Sequence, residues 1–207
     1  MGDPDLSLRE RKRRATRQAI QREAITLALE EGLAAVTIDE ISRRADISPR
    51  TFFNYFSSKD DALLGEAPTL NDDDELAVFR GGGPSGDLMS DIGWLLVHAT
   101  RELVTERDLM PERHRLLREN PELFSQRMVT MKEFHGMLDR AVNARLSGRA
   151  ADPRDVDRHA RLATLVALAT LRHAWTEWSH DESEDGLEQV VDTAFADLGS
   201  LVSRTTV

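Results

Sequence analysis

Residues Thr37 to Lys59, TIDEISRRADISPRTFFNYFSSK, constrain this chain more than any other stretch. Their spacing predicts a helix, a tight turn and a second short helix, with a third helix starting after Ser58. Thr37 precedes an apolar pattern and Glu40 stands three residues on, the capping-box spacing that satisfies orphan N–H groups at a helix start. Ile38, Ile41 and Ala45 then recur at helical spacing. Asp46-Ile47-Ser48 interrupts the run. Ser48 suits the N-cap of the next helix, and Pro49 suits its first position, where no N–H is needed. Phe52 and Phe56, four apart, fall on one face of that helix. A helix, a turn and a second helix of this kind place the second helix in the major groove of DNA.

The face opposite Phe52 and Phe56 carries Arg50, Thr51, Asn54 and Tyr55. Arg can bind guanine bidentately, and Asn can do the same for adenine. Thr37, at a helix N-terminus, is expected to hold a phosphate. Lys59 is expected to hold another at the following helix. Phe53 has no polar handle and is expected to pack against the first helix. The basic run Arg9 to Arg14 is expected to meet phosphates or the minor groove.

Residues 46 to 64, DISPRTFFNYFSSKDDALL, resemble the signature of the tetracycline-repressor-type (TetR/AcrR) family of bacterial transcriptional regulators. Ser48, Thr51, Tyr55, Phe56, Lys59, Leu63 and Leu64 match it, as do Thr37, Ile41 and Ala45 before them. The resemblance covers roughly residues 17 to 64. Two positions depart from the pattern. Asp46 stands where glycine is usual in the turn, and Asp tolerates special backbone angles better than most residues. Phe53 stands where tyrosine is usual, so a hydroxyl that could bond a phosphate is missing. The resemblance implies an all-α protein with an N-terminal three-helix DNA-binding head and a larger C-terminal helical domain for ligand binding and dimerisation. It implies a homodimer on a palindromic double-stranded DNA operator, released by a small lipophilic effector. DNA-binding residues are expected at Thr37, Arg44, Ser48, Arg50, Thr51, Asn54, Tyr55 and Lys59.

Charge fits this division. The 207 residues carry a net −10 and no cysteine, which excludes disulfides, zinc–thiolate sites and thiol catalysis. Residues 1–65 hold 11 basic and 11 acidic side chains, so the remainder carries the whole −10. A neutral head with its bases gathered at the arm and the helix-turn-helix can still present a positive face. The start of the chain, MGDPDLSLRERKRR, lacks the apolar run of a signal peptide. The most apolar stretch, Leu162 to Leu171, is too short to span a bilayer. A soluble cytoplasmic protein is expected.

Four segments follow: a basic, partly disordered arm at 1–14, the DNA-binding domain at 15–67, a linker at 68–86 and the ligand-binding and dimerisation domain at 87–207. The first helix should run to about Glu31, burying Ile20, Ala24, Leu27 and Ala28, with Gly32 after its end. Pro68 should stop the helix that follows Ser58. Acids and glycines dominate PTLNDDDELAVFRGGGPSG, although Glu75 to Arg80 could form a short helix. Beyond Gly86 every segment reads as helix. Leu88, Ile92, Leu95, Leu96, Ala99 and Leu103 form one stripe. Pro111, Asn120-Pro121 and Asp152-Pro153 each open a further helix. The segment from Pro153 to His180 is nearly apolar all round between Leu162 and Leu171, which fits burial on two sides. A last helix, about Glu184 to Ser203, carries Leu187, Val190, Val191, Ala194, Phe195, Leu198, Leu201 and Val202. The final two helices are expected to form the dimer interface.

Trp94, His98, Phe124, Met128, Met131, Phe134, His173 and Trp175 are candidate ligand-binding residues, with Met137 and Trp178 beside them. Aromatic and methionine side chains gathered in an aromatic-poor chain suit an apolar cavity, while ordinary core packing suits each residue singly. His98, Arg101, His135, Arg172, His173 and Glu177 could orient a ligand. No G-x-S-x-G, H-E-x-x-H, P-loop or G-x-G-x-x-G occurs. Gly81-Gly82-Gly83 lies in an acidic segment without the lysine of a phosphate loop. His159 and His173 are too far apart along one helix to share a metal. No enzyme activity, cofactor or metal is expected. Two rivals stand beside the regulator: an all-helical small-molecule-binding or enzymatic protein with a degenerate helix-turn-helix, and an architectural DNA-binding protein without a ligand. The exposed, polar Arg50 and Asn54 argue against the first, and the large aromatic body argues against the second.

Overall fold

A computed structural model describes residues 8–70, 73–104, 107–147, 153–180 and 186–204. Among them every regular element is helical. The head begins with α1 (Leu8–Glu31), α2 (Ile38–Arg44), α3 (Pro49–Phe52) and α4 (Lys59–Leu64). The body carries α5 (Asp73–Arg80) and α6 (Leu88–Val104). A 3-10 turn at Arg107–Leu109 then leads into α7 (Met110–Glu119), followed by α8 (Pro121–Ser147), α9 (Pro153–His180) and α10 (Leu187–Arg204). No described helix is long and apolar enough to cross a membrane.

The chain divides into two compact units, 1–66 with 106–127 and 67–105 with 128–207. In the first unit, α1 buries Ile20, Ala24, Ile25, Leu27 and Ala28, the stripe expected from its 3.6-residue period. Gly32 ends it with φ 84°, donating its N–H to the Ala28 carbonyl at 3.0 Å. Only a residue free of Cβ strain fits this left-handed cap well. Ile41, Phe52, Phe56, Leu63 and Leu64 close the core from α2 to α4. Leu109, Leu116 and Leu123 complete it. The head therefore needs a segment more than forty residues downstream, which the expected boundary at residue 67 leaves out. The basic arm also differs from expectation, because residues from Leu8 to Arg14 form the first turns of α1. Of residues 1–8, expected to be disordered, Leu8 is the first residue of α1, and 1–7 lie outside the described residues.

The segment expected to be a linker is folded into the second unit. Leu70, Leu76 and Phe79 are buried in its core beside Ile92, Leu96, Leu138 and Val142. Three apolar side chains at suitable spacing outweighed the acids and glycines around them. The polar turn after α5 is built around Asp91. This carboxylate accepts from the Ser85 N–H and hydroxyl at 2.8 and 2.7 Å and from the Gly86 N–H at 3.2 Å. It also pairs with Arg145 of α8 at 2.6 Å, both side chains being almost fully buried. Arg145 donates further to the Phe79 carbonyl at 3.2 Å and lies over the Phe79 ring. Burial pushes the Asp91 carboxyl up, but the Ser85 bonds and the Arg145 guanidinium outweigh it and hold it below the usual carboxylate range. Gly83 is obligatory here, since a Cβ would fall 2.0 Å from the Asp91 carboxylate.

α10 packs against α9 and α6. At Gly93 of α6 the approach is so close that a Cβ would meet the Phe195 ring at 3.1 Å. Leu187, Val191, Ala194 and Phe195 are the buried side of α10. α9 buries Ala160, Ala167, Leu171, Ala174 and Trp178 in the same core. Its expected burial on two sides is not met within one chain, because Leu162 and Leu165 remain exposed.

Candidate nucleic-acid interface

Each of the three short helices at the front of the head starts on a side-chain cap. Thr37 accepts the Glu40 N–H at 3.2 Å, Ser48 the Thr51 N–H at 3.0 Å and Ser58 the Asp61 N–H at 3.1 Å. Such caps contribute about 1 kcal/mol each. The reciprocal half of the expected capping box is absent, as Glu40 turns elsewhere, and Asp61 does likewise. Asp61 accepts from the Ser57 hydroxyl. Glu40 takes Arg43 and Arg44. The bond from Arg43, against some desolvation, and then that from Arg44 hold the Glu40 carboxyl down at about 2.

The turn between α2 and α3 pivots on Asp46, the one non-glycine residue with positive φ among those described, at 54°. The expectation that Asp stands there in the place of glycine is met by this left-handed backbone. α3 itself is one turn long, Pro49–Phe52. Asn54 and Tyr55 continue it through N–H bonds to the Thr51 and Phe52 carbonyls at 3.0 and 2.9 Å. These i→i−3 bonds tighten the backbone into a 3-10-like turn. Phe52 is 0% exposed and Phe56 is 4% exposed, so both anchor the turn from below.

The expected site residues divide into three groups. Arg50 and Asn54 are exposed, and their side chains make no hydrogen bond to any described residue. Ser48, exposed, and Thr51, half-buried, share a hydroxyl contact at 2.8 Å, and Thr37 is exposed. Three others are already engaged. Tyr55 is half-buried and packs against the head core. Arg44 is held by Glu30 at 3.0 Å, by Glu31 and by Glu40 at 3.3 Å, tying α2 to the end of α1. Lys59 donates to the Val36 carbonyl at 2.8 Å and, more weakly, to that of Leu33 at 3.5 Å. The charges of Arg44 and Lys59 thus do structural work within the head. Phe53 departs from expectation most clearly. It does not pack against α1 but stands 57% exposed, its ring edge-on to Phe52 at 5.7 Å.

Residue-level reading missed Arg17. Its guanidinium lies 4.5 Å from the centre of the Phe56 ring, donates to the Tyr55 carbonyl at 3.3 Å and pairs with Glu66 at 2.7 Å. It fixes the end of the turn that follows α3 to α1. The signal was its place three residues before Ile20, on the buried stripe. Arg113, buried, donates to the Leu63 carbonyl at 3.1 Å, and Arg127 donates to that of Glu66 at 2.9 Å. Both satisfy carbonyls at or beyond the end of α4, where cations are favoured.

The candidate ligand residues are not brought together as a set. Phe134 is buried in the body core, and Trp94 and Trp175 pack against it. His98 stacks on Trp94 at 4.4 Å, with Nδ1 bonded to the Trp94 carbonyl at 2.8 Å and Nε2 3.3 Å from Glu75. Its Nδ1 is therefore occupied. Met131 is half-buried, whereas Phe124, Met128 and His173 are exposed, and Phe124 falls in the first unit.

Comparison with known proteins fits the head. Residues 20–66 match the family of bacterial regulatory proteins, tetR family. The chain is 42% identical over 57 residues to the HTH-type transcriptional regulator TcmR of Streptomyces glaucescens, a match covering 28% of this chain and 25% of TcmR's own length. It is 28% identical over 200 residues to a protein proposed as the mycofactocin biosynthesis transcriptional regulator MftR of Mycobacterium tuberculosis, covering 94% of both. The transcriptional regulator FadR from Bacillus subtilis, solved in complex with stearoyl-CoA, aligns at 18% identity and a TM-score of 0.46 over 87% of this chain and 96% of that one. That likeness is too distant to carry a functional argument. With the signature folded as a helix-turn-helix and the family match running across it, the head at residues 20–66 is similar to that of bacterial regulatory proteins of the tetR family.

Proposed function

We propose that this protein is a transcriptional regulator of the tetR family, which binds a near-palindromic DNA operator as a homodimer and releases it when a small lipophilic molecule binds the body. One observation carries the DNA reading: the recognition turn buries Phe52 and Phe56 while leaving Arg50 and Asn54 exposed and without a side-chain hydrogen bond among the described residues. Two such side chains, four residues apart on a rigid turn, can each meet a base edge bidentately. Ser48, Thr51 and Thr37 add hydroxyls for phosphate or base, and the exposed Arg9, Arg11, Lys12 and Arg13 add charge at the start of α1. Arg44, Lys59 and Tyr55 act instead by holding the turn in place.

Dimerisation is supported by apolar side chains left exposed on the last two helices, Leu162 and Leu165 on α9 and Leu201 and Val202 on α10. An isologous pairing of these helices would cover them. Effector binding is supported by Trp94, Phe134 and Trp175 in one apolar cluster. A ligand lodged there releases DNA only if it prefers the DNA-incompetent state, so operator and effector must weaken each other by the same factor.

Titration of the full-length protein on an operator selected from random-sequence DNA tests the reading. Arg50→Ala and Asn54→Ala should each lose about 1–3 kcal/mol, roughly 5- to 150-fold in Kd, and relax preference at one base pair. Unchanged affinity in both variants would remove the recognition role.

A further inference from the structure

We infer that Phe53 is a specificity-determining residue that reads the C5-methyl group of a thymine in the operator. The inference rests on the proposed DNA reading and adds to it a residue whose chemistry is apolar. Of the three phenylalanines in the recognition turn, two are buried and Phe53 is 57% exposed. It stands edge-on to Phe52, itself fully buried, at 5.7 Å with planes 89° apart. An exposed phenyl in contact with one buried ring therefore stands on the same turn as Arg50 and Asn54, the turn proposed to enter the groove.

A phenyl ring can neither donate nor accept a hydrogen bond, so it cannot serve a phosphate or a polar base edge. On the floor of the major groove the apolar group available to it is the thymine methyl, and Phe is among the side chains that meet it. Contact would withdraw both groups from water, the direction in which apolar surface is driven. The neighbouring residues favour this occupant over a protein partner. Arg50, three residues before it, and Asn54, one after, are polar and make no hydrogen bond to any described residue, so a partner covering Phe53 would have to satisfy both, and DNA base edges do so.

The test uses full-length protein and operator duplexes in which each thymine in turn is replaced by deoxyuridine, which removes only the methyl. Wild-type protein should lose about three- to fivefold affinity at one thymine per half-site, the scale of one buried methyl group. Phe53→Ala should bind the unmodified operator more weakly by at least that factor and be indifferent to deoxyuridine at the same position. Its thermal unfolding should match wild type, since the side chain is mostly outside the core. If Phe53→Ala weakens binding but remains as sensitive as wild type to every deoxyuridine, Phe53 touches sugar or backbone and the inference fails. If Phe53→Ala leaves operator affinity unchanged, the ring serves another partner and the inference fails again. Arg50→Ala and Asn54→Ala separate these outcomes from failure of the DNA reading itself, which would leave those two variants unimpaired as well.

Discussion

Asp46 shows how one backbone angle sets the geometry between two helices. At φ 54° an L-residue with a Cβ is strained, and Asp is tolerated there better than most because its short polar side chain can bond locally. Asp46→Gly should therefore raise the midpoint of thermal unfolding, by an amount equivalent to about 0.5–1 kcal/mol. A fall in stability on that substitution would mean that the Asp side chain stabilises the turn by more than its strain costs. The angle was legible from the signature, since Asp46 occupies a position where glycine is usual. The outward turn of Phe53 was not legible. Phe52 and Phe56 are buried as their four-residue spacing indicates, whereas Phe53 was expected inside only for want of a polar group, an argument from chemistry that carries no direction on the turn.

At the scale of elements, the long helices could be read directly, because Pro at N1 marks α8 and α9, Pro111 stands at the second residue of α7 and an apolar stripe marks α10. The segment 68–86 could not. Its acids and glycines give a linker-like composition, yet Leu70, Leu76 and Phe79 are core residues and Asp91 organises the turn that follows. The partner that neutralises Asp91 is Arg145, 54 residues away, and no local pattern announces such a pairing. Breaking one side of a buried ion pair leaves an uncompensated charge, at a cost of about 3–5 kcal/mol. Arg145→Met should accordingly destabilise the body by about that amount in denaturant titration, while Arg145→Met combined with Asp91→Leu should recover part of the loss. If the double variant is less stable than Arg145→Met alone, the Ser85 and Gly86 bonds to Asp91, rather than the ion pair, hold the turn.

For the whole molecule, the sequence gives a neutral head and a body carrying the net −10. The return of residues 106–127 to the head unit was hidden, because the leucines that complete its core come from far along the chain. The terminal helices hold the next test. Val191 lies in the core of its own chain, so a charge there would report on folding rather than assembly. Leu165 and Leu201 are exposed, Leu201 by 67%, and are the positions to change. Leu165→Asp and Leu201→Asp should sediment as monomers with undiminished helicity, against a dimeric wild type at micromolar concentration. A monomeric wild type would contradict the proposed pairing of α9 and α10.

The central claim is that the exposed side of the recognition turn reads DNA sequence. Parallel selections from random-sequence DNA, one with wild-type protein and one with the Arg50→Ala, Asn54→Ala double variant, address it directly. The account predicts that wild type enriches an inverted repeat with half-sites about one helical turn apart, centre to centre. The double variant should enrich no such repeat, while keeping weak, salt-sensitive binding to DNA of any sequence. No enrichment by wild type, or the same motif recovered by both proteins, would contradict it.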